Sequence, residues 1–134
     1  LSVPFRFRRQ QSQSGTFVDR IITGQPNEPL KEKFVSWRHE ELPLQGVTKA
    51  LSAAKQDEVL VDASLYGNTE KQNMVLLWHQ VKDSNVESIL IWARTAGEIR
   101  KKAREQMNSG AVPASLHIGN APMPISTMVW HKSR

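Results

Sequence analysis

The chain contains no cysteine. That excludes disulfides, thiol catalysis, iron–sulfur clusters and cysteine-based zinc sites, and it suits a reducing compartment. No apolar run approaches the roughly 20 residues that a helix needs to cross a bilayer, so no membrane span is expected. No HExxH, Walker loop, GxSxG or GxGxxG occurs. There are no internal repeats, and the only low-complexity stretch is QQSQS at 10–14. These absences point to a non-catalytic chain that calls for no cofactor and no metal.

What is present is the material of one domain. The chain has 134 residues, with 39% apolar and 23% charged side chains. These are globular proportions, and the length suffices for a core without a staple. The net charge is +5 and the isoelectric point is about 9.8. A basic balance favours an anionic partner such as nucleic acid.

The charge is unevenly spread. Residues 1–20 carry Arg6, Arg8, Arg9 and Arg20 against Asp19, a net of +3. Residues 56–93 carry Lys71 and Lys82 against Asp57, Glu58, Asp62, Glu70, Asp83 and Glu87, a net of −4. Residues 94–106 carry Arg94, Arg100, Lys101, Lys102 and Arg104 against Glu98 and Glu105, a net of +3. Residues 1–15 are rich in Gln, Ser and Arg and hold no acid, so they read as a basic extended arm. Their composition is also similar to the remnant of an organelle transit peptide. Residues 16–134 read as a single α/β domain, placed inside the cell in the cytoplasm or the mitochondrial matrix.

Residues 16–23 suit a strand. Asn27 can cap a helix that starts near Pro29 and carries Leu30, Phe34 and Trp37 on one face. A short helix follows Gly46, with Val47, Ala50, Leu51 and Ala54 at helical spacing. Residues 58–63 read as a buried strand. Thr69 and Gln72 then form a capping-box pair for a helix with Met74, Leu77, Trp78 and Val81 on its apolar face. Residues 86–93 are a second buried strand. Thr95 and Glu98 cap a helix whose core face is Ile99, Ala103 and Met107, ended by Gly110. Residues 114–118 and 125–130 close the chain as strands. This order predicts an α/β sandwich with a mainly parallel or mixed sheet of 4–5 strands, helices on its faces and a basic N-terminal arm.

The best candidate site is the basic helix. Arg100, Lys101 and Arg104 lie opposite its apolar face, Lys102 flanks them and Arg94 precedes them. Such a patch neutralises phosphates and releases counterions. The arm adds Arg6, Arg8 and Arg9, interleaved with Phe5 and Phe7 in a pattern that can stack bases while holding phosphates. Two weaker constellations stand beside it. Asp62, at a strand end with Asp57 or Ser64 near, is placed as a catalytic acid would be in an α/β fold. His39, His79, His117 and His131 are scattered.

Two stretches resemble known families. The loop Leu65–Tyr66–Gly67–Asn68–Thr69–Glu70 is similar to the phosphate loop of flavodoxins, which would make Asn68 and Thr69 phosphate ligands at a helix N-terminus. The last 50 residues resemble the second half of the anticodon-binding domain of class II aminoacyl-tRNA synthetases. The resemblance rests on Arg100–Lys101, Ala103, Gly110 and Ile118–Gly119, and residues 57–82 fit that family's start in order only. It implies a module that binds RNA or protein partners. The sequence therefore leads to a non-catalytic RNA-binding or ribonucleoprotein-assembly component. The alternatives are a flavodoxin-like small-ligand or phosphate-binding domain, possibly an enzyme, and a structural subunit of a protein assembly.

Overall fold

Residues 74–79, Met-Val-Leu-Leu-Trp-His, are buried at every position, and they decide the architecture. A computed structural model describes residues 1–11, 14–68, 70–119 and 124–134. The elements in chain order are β1 (Val3–Gln11), β2 (Phe17–Gly24), α1 (Glu28–Lys33), β3 (Phe34–Pro43), a single 3-10 turn at Leu44–Gly46, α2 (Val47–Ala53), β4 (Glu58–Gly67), β5 (Gln72–Val81), β6 (Val86–Ala93), α3 (Ala96–Asn108), β7 (Val112–His117) and β8 (Ser126–Ser133). Strands β1 and β2 form a hairpin, β3–β5–β4 a central sheet and β6–β8–β7 a third sheet. No helix among the described residues is long and apolar enough to cross a membrane.

Every strand pairing among the described residues is antiparallel and the strands fall into three small sheets, so the expected sandwich with a mainly parallel or mixed sheet of 4–5 strands is overturned. The decisive correction is residues 69–81. Met74, Leu77, Trp78 and Val81 have helical spacing, but the segment is strand β5 at the centre of its sheet. A strand covered on both faces loses its alternation, and a continuous apolar run then mimics a buried helix. Thr69, the proposed cap, lies outside the described residues. The turn before β5 is built by Gly67 and Asn68. Gly67 takes φ +114°, where a Cβ would meet the Lys71 carbonyl. The Asn68 side chain accepts from the backbone N–H groups of Glu70 (2.9 Å) and Lys71 (2.8 Å), a local bond that holds a turn rather than a helix.

The expected helix from Pro29 is also shorter than its apolar spacing suggested. Asn27 does cap it, accepting from Leu30 N–H at 3.0 Å. The helix stops at Lys33, and Phe34–Pro43 is strand β3 along β5. The β-branched and aromatic residues of Phe-Val-Ser-Trp favour a strand here.

Within the N-terminal segment, Val3–Gln11 form strand β1, which docks on the central sheet. Val3 and Phe7 are buried. Phe7 packs among Val59, Val61, Val75 and Leu77 on one face of the central sheet. Its N–H donates to Asp62 Oδ2 at 2.9 Å, and its carbonyl accepts from Ser64 Oγ at 2.8 Å. A register shift between Leu60 and Asp62 marks a bulge in β4, which lets Val61 and Asp62 both serve the β1 side.

The other face of the central sheet holds Leu60, Ala63, Leu65, Met74, Leu76 and Trp78. They pack on Val47 of α2, on Leu90 of β6 and on Val129 of β8. The open edge of β4 is closed by side chains. Ser88 Oγ accepts from Leu60 N–H (3.0 Å), His131 Nε2 donates to the Leu60 carbonyl (2.7 Å), and Thr127 Oγ1 donates to that of Ala63 (2.7 Å). These bonds cover the edge at Leu60 and Ala63. Helix α3 lies on the third sheet, with Ile99 and Ala103 against Ile91 and Trp130.

Candidate nucleic-acid interface

Helix α3 begins where Thr95 Oγ1 accepts from Glu98 N–H at 3.1 Å, as its sequence foretells. It ends at Asn108 with Ser109 as its cap, followed by Gly110 at φ +89°, a backbone state that glycine adopts without strain. Ile99 and Ala103 are half-buried and anchor the helix, whereas Met107, expected on the core face, is exposed.

Arg94, Arg100, Lys101, Lys102 and Arg104 are all exposed. Among the described residues, no ion pair within 4 Å involves any of them. Lys102 Nζ donates to the Trp92 carbonyl at 3.0 Å, and Arg94 reaches Gln72 Oε1 at 3.4 Å. Arg100, Lys101 and Arg104 thus present their charge to solvent with no ion-pair partner within 4 Å among the described residues. Beside them lies an open cleft of about 420 Å³ between α3 and β7. Its walls include Ile99, Ala103, Leu116, Ile118 and Met128, with Arg94 and Arg100 at the lip.

The arm arginines are placed differently. Arg6 donates to the carbonyls of Phe5 (2.8 Å) and Ala114 (3.3 Å). Arg8 is ion-paired with Asp62, a carboxylate 1% exposed. Arg9 makes two bonds to Asp19, at 2.7 and 2.9 Å, and a further ion pair with Glu41. Its guanidinium also lies over the rings of Phe7, Phe17 and Tyr66. The Arg9 guanidinium holds the carboxyls of Asp19 and Glu41 below the usual range. Arg8 and Arg9 are therefore committed to fastening the hairpin. Strand β1 packs on the central sheet and α3 on the third, so the two basic segments are carried by different sheets.

The other candidates acquire structural places. Asn68 is used by its turn, and β4 leads through that turn into strand β5, so among the described residues no helix N-terminus follows it to receive a phosphate. Asp62 clamps β1 through Phe7 and Arg8. His79 is buried, donates Nε2 to the Pro4 carbonyl (2.5 Å), and burial pushes its pKa down. Burial lowers His117 likewise. Asp57 accepts from Gln80 Nε2 at 2.9 Å.

Phe17, Val18, Ile21 and Ile22 of β2 and Val35 and Trp37 of β3 are exposed, which was not among the sequence's expectations. The signal was a β-favouring run, Phe-Val-Asp-Arg-Ile-Ile, with too little polar alternation for a solvated face. No protein-family model, no curated protein and no solved structure matches the chain.

Proposed function

We propose that the chain is a non-catalytic RNA-binding or ribonucleoprotein-assembly component that grips the phosphate backbone with α3. The observation that carries this reading is the group of exposed cations on α3 with no carboxylate within ion-pair distance, set against Arg8 and Arg9, whose charges are compensated. A cation without a counter-ion keeps the favourable exchange with condensed counterions that drives phosphate binding. The gripping set is Arg94, Arg100, Lys101 and Arg104, with Lys102 partly held by Trp92. Single-stranded RNA suits the site better than a duplex, because the apolar cleft at the lip of Arg94 and Arg100 takes an unstacked base while the cations hold its phosphates. Contacts to the backbone fix position and carry little sequence preference. The reading places the chain in a reducing compartment, the cytoplasm or the mitochondrial matrix.

The test is fluorescence anisotropy with a labelled single-stranded oligoribonucleotide. Reversing Arg100 and Lys101 to Glu weakens binding strongly at low salt. Both side chains are exposed, so the fold stays intact. Unchanged affinity in the folded double variant refutes the proposal.

A further inference from the structure

We propose that β2 is an acceptor edge that takes an extended strand from a partner protein, apolar along its length with one acid at its centre. This does not rest on the RNA reading, since it concerns a different element. Among the described residues β2 pairs only with β1, so the backbone groups along its other side are open over eight residues. Proteins usually protect such an edge with proline, charged side chains, a bulge, short length or a covering segment. The β2 sequence Phe-Val-Asp-Arg-Ile-Ile-Thr-Gly has no proline and no lysine, and of its two charges Asp19 is bound by Arg9, which leaves Arg20. The one register shift of the hairpin lies between Pro4 and Arg6, opposite the far end of β2. The edge of β4, by contrast, is closed by Ser88, Thr127 and His131.

The apolar residues of this open edge are exposed: Phe17 by 46%, Val18 by 58%, Ile21 by 43% and Ile22 by 49%. Strand alternation sorts them onto two faces. Ile21 lies opposite Phe7 and Asp19 opposite Arg9, so Phe17, Asp19 and Ile21 share the side that meets the central sheet. Phe17 meets Tyr66 edge-on there, at 5.4 Å between centroids. Val18, Arg20 and Ile22 form the other face, and Arg20 makes no ion pair among the described residues.

Charge complementarity then specifies the occupant. A strand added along β2 needs apolar residues opposite Val18 and Ile22 and a carboxylate opposite Arg20. The charge of Asp19 is already met by Arg9, so a neutral residue belongs opposite it. Main-chain bonds supply the affinity, and these side chains supply the choice. A second copy of this chain fits poorly. A symmetric antiparallel pair aligns one residue with its own copy at the axis. Centring on Asp19 or on Arg20 sets like charges opposite each other, and centring on Ile21 sets Arg20 against Ile22 with no counter-charge.

The experiment uses a dye-labelled peptide, Ile-Val-Glu-Thr-Val-Ile, which places its Glu opposite Arg20 in antiparallel register, and reads fluorescence polarisation against the full chain. The expected result is saturable binding, with amide exchange of residues 17–23 slowed by the peptide. Arg20→Glu lowers the affinity by about tenfold or more, and a peptide with Lys in place of Glu restores it to that variant. Ile22→Lys, an exposed change, also weakens binding while leaving the melting profile intact. No binding to the unaltered chain, equal binding of both peptides to both proteins, or protection outside β2 overturns the proposal. A concentration-dependent dimer abolished by Ile22→Lys overturns it too, by assigning the edge to a second copy.

Discussion

Truncating Phe7 tests whether the first eleven residues belong to the core. The ring is 2% exposed, packs on Val59, Val61, Val75 and Leu77, and stacks on His39 at 4.8 Å between centroids. Phe7→Ala removes most of that buried surface and leaves a cavity between the hairpin and the central sheet. Its backbone bonds to Asp62 and Ser64 keep β1 in place, so the site cannot collapse freely to fill the gap. Changes of this kind cost about 3–5 kcal/mol. Domains are stable by about 5–15 kcal/mol, so about a fifth of the total or more is lost. For a chain of this size the melting midpoint falls by about 10–20 °C. The assay is urea unfolding followed by tryptophan fluorescence, with calorimetry for the midpoint. If Phe7→Ala stays within about 0.5 kcal/mol of the unaltered chain, the range of surface substitutions, then residues 1–11 are a detachable arm and the argument for β1 fails.

One further substitution and one change of condition have clear outcomes. Gly67→Ala forces an alanine into φ +114° against the Lys71 carbonyl, and denaturant midpoints should show a loss of about 1–3 kcal/mol. Burial holds His79 and His117 below the usual histidine pKa, so between the folded and unfolded values the unfolded chain binds more protons. Stability should therefore be full above about pH 6.5 and fall as the pH drops below it, and a flat urea midpoint between about pH 7 and pH 5 contradicts this. Asp19 and Glu41, held low by Arg9, add a second loss only at lower pH, as their carboxyls protonate.

The legible parts of the sequence were those with one local signal and no competitor. The Thr95 cap, Gly110 and the spacing of Ile99 and Ala103 fixed α3, and the residues 86–93 fell into β6. The strand–helix–strand reading of β6, α3 and β7 was right in its elements and wrong in its sheet. Both β6 and β7 pair antiparallel to β8, which lies between them, so they run parallel to each other without touching as neighbours. Nothing local in residues 126–133 announces that insertion, because it is a choice of partner. The segment at 74–79 failed for another reason: its burial on both faces comes from β1 on one side and from α2 and the third sheet on the other. Those partners lie far away in sequence. The same distance hid the fate of the arm. Arg8 and Arg9 look free beside Gln and Ser, but Asp62, Glu41 and Asp19 reach them only in the fold. Of the elements behind the resemblance to anticodon-binding domains, β6, α3 and β7 are present in order, and residues 72–81 are strand where a helix belonged.

The most direct test is the salt dependence of single-stranded RNA binding. If the grip comes from Arg94, Arg100, Lys101 and Arg104, the plot of log affinity against log salt has a slope of about −2.8, at roughly 0.7 per neutralised phosphate. Reversal of Arg100 and Lys101 brings the slope to about −1.4 or abolishes binding. A slope near zero, or one of about −5.6 that enlists Arg6, Arg8, Arg9 and Lys102 as well, contradicts a site confined to Arg94, Arg100, Lys101 and Arg104.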